Sequence, residues 1–374
     1  MAVAATVLSA CGGVLSSTGA PGGVAPSGYE TGLTALSVQR VAALTMPHYV
    51  PRPVRTDRGK SWMSPLAHRS DLLYVSDWAT NDVYVYSYPG GGAVGTLTGL
   101  DEPYGQCVDK TGNIYITNMA AGTTEKYAHG GTSPIATYSD TGSPIGCAVD
   151  KSGDLAVTNF TSVSGPGSID VWPHGGGGPV THSDSSACYY MWPAGYDKKD
   201  DLVAEGEYSS NAICELPTGA GSMRTVSFSG TINFPGGTMW DGKYLALTDQ
   251  EAGGVYQTAL YPSKLSGTTL TEVTSAVLND SCYSTYSDVV SPFIVGLKNT
   301  PANTAQDGAV VGSNLWCAEG SGGSKVECWA YPTGGTSIWS LSSPPSEPEG
   351  QSVSIHTSAA SVQRAVRSTC DSPI

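Results

Sequence analysis

A chain of 374 residues can hold one large domain or two ordinary ones; only 13% of it is charged, while Gly (47) and Pro (24) abound. That balance argues against long helices and fits strands joined by many turns. The formal net charge of −14 is uneven, about +4 over residues 1–70 and about −18 over the rest, so the body repels phosphate backbones and nucleic-acid binding is excluded.

Residues 1–11 read as an export signal. Ala2-Val-Ala-Ala-Thr-Val-Leu-Ser-Ala10 is apolar, and Leu8-Ser-Ala-Cys11 before Gly12-Gly13 resembles the bacterial lipobox, in which the Cys carries the lipid. No basic stretch precedes it, so this reading expects the signal to start further upstream. Residues 12–60, rich in Gly, Ser, Ala and Pro, are expected to form a tether between the membrane and a domain over residues 61–356.

Within that domain a phrase recurs. Pro103-Tyr-Gly-Gln-Cys-Val-Asp109 returns 41 residues later as Pro144-Ile-Gly-Cys-Ala-Val-Asp150, and again as Pro348-Glu-Gly-Gln-Ser-Val-Ser354. The first two copies continue alike, as Lys110-Thr-Gly-Asn-Ile-Tyr-Ile-Thr-Asn118 and Lys151-Ser-Gly-Asp-Leu-Ala-Val-Thr-Asn159. A period of about 40 to 50 residues built of short strands and Gly-bearing turns marks a β-propeller blade. The fold expected is all-β, a six-bladed propeller of four-stranded antiparallel blades.

Second strands are expected near Leu72, Ile114, Leu155, Leu202, Tyr244 and Leu315, with residues 298–308 as a polar loop inserted in the sixth blade. A seventh, degenerate blade is the alternative. The first blade lacks its own Pro-x-Gly phrase, so Pro348 to Ser354 is expected to supply its inner strand and close the ring, removing open edges. Residues 357–374 remain as a tail.

Without Cys11 there are eight cysteines, an even number that argues for disulfides in an exported chain. When Asp109 and Asp150 are aligned, Cys107 and Cys147 differ by one position and point to opposite faces of neighbouring inner strands. A bridge between them is expected, as are Cys188 with Cys214 and Cys317 with Cys328, leaving Cys282 with Cys370 by elimination.

Alternation of strand direction places the residue after each Pro, the second-strand ends and the loops that follow on one face. The binding-face candidates are therefore Asp77, Trp78, Tyr104, Asn118, Asn159, Glu205, Asp249, Glu319 and Glu349. The Asp, Asn and Glu members form a series of oxygen ligands suited to a hard cation such as calcium; the competing reading is that they hydrogen-bond the turn that follows. His129 and His174 occupy matching turns on the opposite face. No Gly-x-Ser-x-Gly elbow, His-Glu-x-x-His helix or phosphate loop appears.

The run from Pro103 to Asn118, with Leu73-Tyr-Val-Ser-Asp77, resembles the NHL-repeat propellers and the related gluconolactonase-like superfamily over most of residues 70–356. Catalytic members of the latter use a divalent metal in the channel with a Glu at the start of the first inner strand, a place that ring closure gives to Glu349. Virginiamycin lyase-like propellers share the broad architecture. The function expected is an exported, lipid-anchored binding module without cofactor, facing a protein, peptide or glycan at the bacterial cell envelope, periplasmic or surface-exposed. The alternative is a metal-dependent gluconolactonase-like hydrolase or lyase.

Overall fold

The computed structural model describes residues 59–162, 165–184, 186–250, 252, 258–279, 293–295, 308–313, 326–337, 339–341 and 348–356. Cys11, the tether up to residue 58, Cys282, Cys317, Glu319, Cys370 and the tail lie outside them. Among the described residues helical structure is confined to two three-residue 3-10 turns, Ala67–Arg69 and Pro173–Gly175, and none is long and apolar enough to cross a membrane.

The chain is all-β and built of antiparallel sheets of the propeller kind. In the second sheet Pro103–Val108, Ile114–Asn118, Thr123–Tyr127 and Pro134–Ser139 follow one another as an up-and-down meander, and Gly142–Val149, Leu155–Ser162, Ser168–Trp172 and Val180–Ser183 repeat it. Burial falls from the inside outward: Ile114–Asn118 is wholly buried, whereas Pro134–Ser139 exposes most of its side chains. Strands covered on both faces therefore lack the simple apolar–polar alternation of a half-buried strand.

The C-terminal segment does what the third copy of the phrase requires. Pro348–Ser354 lies antiparallel to Leu72–Asp77, pairing Leu72 with Ser354 and Asp77 with Pro348. Trp62–Met63 adds a fifth strand at the outer edge of the same sheet, against Ala93–Leu97. Apolar clusters then join each sheet to the next. Leu72, Val83 and Leu97 pack on Ile114, Ile116 and Tyr127, Val203, Ile213 and Val226 on Leu245, Leu247 and Leu270, and Ala246, Leu260 and Leu278 on Trp329 and Tyr331. A last cluster sets Val326, Cys328 and Leu341 against Leu73, Val75, Tyr86 and Val353, returning the packing to the first sheet.

The glycine of the repeated phrase is fixed by how closely the inner strands approach one another. A Cβ on Gly350 would run into the Tyr104 carbonyl oxygen, one on Gly105 into that of Ile145, and one on Gly146 into the Pro193 ring. Each inner strand thus leans its glycine on the next, and any side chain there would force strands apart.

Three expectations change. The two sheets holding Leu202–Glu207 and Leu245–Asp249 are joined into one eleven-stranded sheet, because Ser227 and Phe228 pair in parallel with Thr269 and Leu270. A strand over Gly308–Ser313, ahead of the expected start near Leu315, pairs with Val326–Tyr331, and Leu315 lies outside the described residues. The bridge from Cys328 to Cys317 is also corrected, since Cys328 is a buried free thiol, pushed up to about 12 by desolvation. Its register neighbours are Val311 and Trp339. Cys107–Cys147 and Cys188–Cys214 are formed, with Cα atoms 5.5 and 6.4 Å apart.

Candidate functional site

The inner strands have two ends, one opening with Pro-x-Gly and one closing with Asp. At the proline end the residues that follow the prolines meet those that follow the second strands. Tyr104, Met119, Ile145, Phe160 and Trp192 form a buried apolar plug, with Trp78, Tyr190 and Phe234 half-buried against it. Trp78 stands edge-on to Tyr104 at 5.9 Å, Phe160 stacks on Tyr190 at 5.2 Å, and Trp192 contacts both Phe160 and Phe234 edge-on. Tyr104, expected on the surface, is only 2% exposed and floors the platform that Trp78 tops.

The polar candidates at this end are also buried. Asp77 Oδ1 accepts the amides of Ala79 and Thr80, at 2.8 and 3.3 Å, as an Asx turn does. Asn118 Nδ2 donates to Thr123 Oγ1, and Asn159 Nδ2 donates to Ser168 Oγ and Asp170 Oδ2. Asp249 accepts from Asn233 Nδ2 and the Phe234 amide. Glu205 is a latch between two strands of the eleven-stranded sheet that are distant in sequence: Oε1 accepts the Thr248 amide at 2.8 Å and Oε2 the Gly236 amide at 3.3 Å. Burial pushes its carboxyl well above the usual range. Glu349 is buried in the closing strand. Asp77, Asn118, Asn159, Glu205 and Asp249 thus brace the turns and strands around them; among the described residues no three His, Cys, Asp or Glu side chains converge as metal ligands.

At the aspartate end the same strands finish in capped turns. Asp109 Oδ1 accepts the amides of Thr111 and Asn113, Asp150 Oδ1 those of Ser152 and Asp154, and Asp197 Oδ1 those of Lys199 and Asp201. His129 is structural here, bonding Ser354 Oγ of the closing strand through Nδ1 at 2.6 Å and the Ser70 carbonyl through Nε2; burial lowers its pKa. His174 is exposed beside Asp154.

Between these turns lies a cavity of about 320 Å³. The Cys107–Cys147 bridge, Val149, Ala194 and Met239 give it apolar walls, Trp240 and Tyr196 give it aromatic ones, and Asp150, Asp197 and Asp200 stand at its mouth with Lys151 and Lys198. Sequence reasoning missed Tyr196 and Trp240. The signal was present: Pro235-Gly-Gly-Thr-Met-Trp-Asp241 keeps the six-residue spacing from Pro to Asp, and Pro193-Ala-Gly-Tyr-Asp197 is a shortened copy.

No family model and no curated protein matches the chain. The structure resembles the nidogen/laminin complex with a TM-score of 0.53 and 12% identity, over 77% of this chain and 100% of that one. A protein of unknown function from Bacteroides caccae gives 0.52 and 10%, with the same coverage. A gluconolactonase from Xanthomonas campestris superposes at only 0.42, with 14% identity over 56% of this chain and 75% of that one, too loose to bear on activity. The first two likenesses bear on the fold class, a β-propeller, and on nothing narrower.

Proposed function

We propose that this chain is an exported six-bladed β-propeller, held at the bacterial cell envelope by a lipid on Cys11, that binds a protein, peptide or glycan partner without chemistry of its own and without a resident cofactor. The observation that carries the reading is the aromatic platform at the proline end. Trp78, Tyr190 and Phe234 stay half-exposed over a floor of Tyr104 and Trp192, an arrangement of rigid, amphipathic rings suited to a partner's surface. Sheets packed in succession, with the last returning to the first, support the propeller reading. Two disulfides support an oxidising, extracytoplasmic compartment.

The hydrolase reading gains nothing from Asp77, Glu205 and Asp249, whose carboxylates accept backbone amides. The test is capture of purified envelope proteins and glycans by the isolated chain, run beside metal analysis and a lactone and ester hydrolysis screen. Trp78→Ala and Phe234→Ala are expected to weaken capture by about fivefold or more while melting stays unchanged. One tightly held divalent ion, with turnover lost in Glu205→Gln and Glu349→Gln, overturns the reading. Cys11→Ser is expected to release the protein from membranes, and full retention removes the anchor from the proposal.

A further inference from the structure

Cations are scarce on this chain, 18 Lys and Arg against 32 Asp and Glu, yet three lysines gather at one place. Beside the cavity described above, and sharing Trp240 with it, a second pocket of about 260 Å³ is lined by Lys198, Lys243 and Lys264. Three elements bring them there. Lys198 sits in the turn between Gly195–Tyr196 and Leu202–Glu207, and Lys243 in the matching turn between Met239–Trp240 and Leu245–Asp249. Lys264 belongs to Ala259–Ser266, and the pairing of Ser263 with Leu245 sets it beside the second turn.

These lysines differ from other cations of the chain in having no counter-charge. Lys126 pairs with Asp109, Lys151 with Asp200 and Arg224 with Glu215, whereas Lys198, Lys243 and Lys264 are exposed and enter no ion pair among the described residues. Lys243 Nζ instead stands 4.8 Å from the centre of the Tyr244 ring. The carboxylate in the lining, Asp197, is buried, and its Oδ1 accepts the amides of Lys199 and Asp201. Like charges around one small space repel one another, and a multiply charged anion between them relieves that repulsion. The acidic body opposes this only weakly, because charges beyond about 8–10 Å are screened at physiological salt. Trp240, Tyr244 and Leu265 give the pocket apolar surface beside the charge, which suits a ring on the ligand.

We propose that this pocket binds a small phosphate monoester carried on a single ring. Such a group brings close to two negative charges at pH 7 and three acceptor oxygens, and lysine holds it as a point charge with three donors. A volume of about 260 Å³ is below the usual size of ligand pockets, so the rest of the ligand is no larger than one ring.

Calorimetry on the full chain with phenyl phosphate and phenyl sulfate, which share the ring but differ by about one charge, tests the assignment. Phenyl phosphate is expected to bind, and phenyl sulfate to bind about fivefold more weakly or worse. Raising the pH from about 5 to about 7.5 takes the phosphate through its second ionisation, near pH 6, so phenyl phosphate is expected to tighten while phenyl sulfate stays level. Lys264→Glu, at an exposed position, is expected to abolish binding with melting unchanged, and Lys198→Gln and Lys243→Gln each to weaken it by about threefold or more. Lys110→Gln, which removes an exposed lysine from another turn, is expected to leave binding as it was. Trp78→Ala is likewise expected to have no effect, which separates this site from the platform at the other end. Equal affinity for the two esters, equal loss in Lys110→Gln and Lys264→Glu, or no phenyl phosphate binding at millimolar concentration overturns the proposal.

Discussion

At the proline end the inner strands stop in a plug of aromatic rings, whereas at the aspartate end the same strands open onto a cavity. Both ends are built by one repeated phrase, so the contrast comes from what fills its variable positions. After Pro the chain places large apolar groups such as Tyr104 and Ile145, which belong to one buried cluster. Before Asp it places Val108, Val149 and Trp240, which line the space instead of filling it. Buried carboxylates follow the same division. Glu205 and Asp249 hold the amides of Thr248 and Phe234 at the plugged end, while Asp109 and Asp150 cap exposed turns at the open end.

The closing strand spans both ends, so breaking it gives the largest effect. Deleting residues 345–374 removes the partner of Leu72–Asp77 and the packing of Val353 on Val326 and Leu341, leaving two unpaired edges. The expected outcome is aggregation or a broad, non-cooperative melt. Gly350→Val tests the same contact with one substitution. Its side chain must displace the Tyr104 carbonyl, at a cost of about 3 kcal/mol or more.

Next in size is the staple on the cavity wall. Replacing Cys107 and Cys147 together by Ser frees two inner strands that the bridge joins 40 residues apart in sequence, and a loss of about 2–4 kcal/mol is expected in urea melts under oxidising conditions. A strong reductant, which also opens Cys188–Cys214, is expected to remove the difference in stability between the parent chain and the double variant.

Asp140 provides a smaller, pH-dependent contrast away from both ends. Burial raises its carboxyl to about 8, the Thr124 hydroxyl bond opposes this, and the nearby Asp170 charge adds to the rise. A folded pKa above the unfolded value means that the folded chain holds the proton more tightly. This contribution to stability is therefore full below the unfolded pKa and is lost as pH rises toward about 8. Asp140→Asn is expected to flatten the fall in stability between pH 5 and pH 8 by on the order of 2 kcal/mol. Parallel slopes for the two proteins would show that Asp140 is ionised throughout.

Much of this was legible in the sequence because the phrase has a mechanical cause. Gly105, Gly146 and Gly350 recur where strands touch, and the offset between Cys107 and Cys147 puts their sulfurs face to face. What did not show was depth. Asp77, Asn118, Asn159 and Asp249 look alike whether they face solvent or a buried turn, since an Asx turn and a metal ligand draw on the same side chains. The cavity was missed for another reason: Pro193 interrupts its inner strand, dividing it into Tyr190–Met191 and Gly195–Tyr196, because proline has no N–H for the ladder. The copy is shortened there and the repeat becomes hard to see.

The smallest expected effect compares one turn cap from each end. Asp77 is fully buried and satisfies two amides at the platform's edge, while Asp109 satisfies two amides in a partly exposed turn, with Asn113 Nδ2 and Lys126 Nζ as further partners. Water can replace the Asp109 carboxylate once it is gone, so Asp109→Ala is expected to cost about 1 kcal/mol. Asp77→Ala leaves buried donors with less access to water and is expected to cost more, about 2–3 kcal/mol. Hydrogen exchange read at Ala79, Thr80, Thr111 and Asn113 distinguishes the two: protection should collapse locally at Thr111 and Asn113 in Asp109→Ala, whereas the Asp77 variant should also loosen the Trp78–Tyr104 contact. If the two substitutions prove equal in cost, the two ends do not differ in solvation as the plug and the cavity imply.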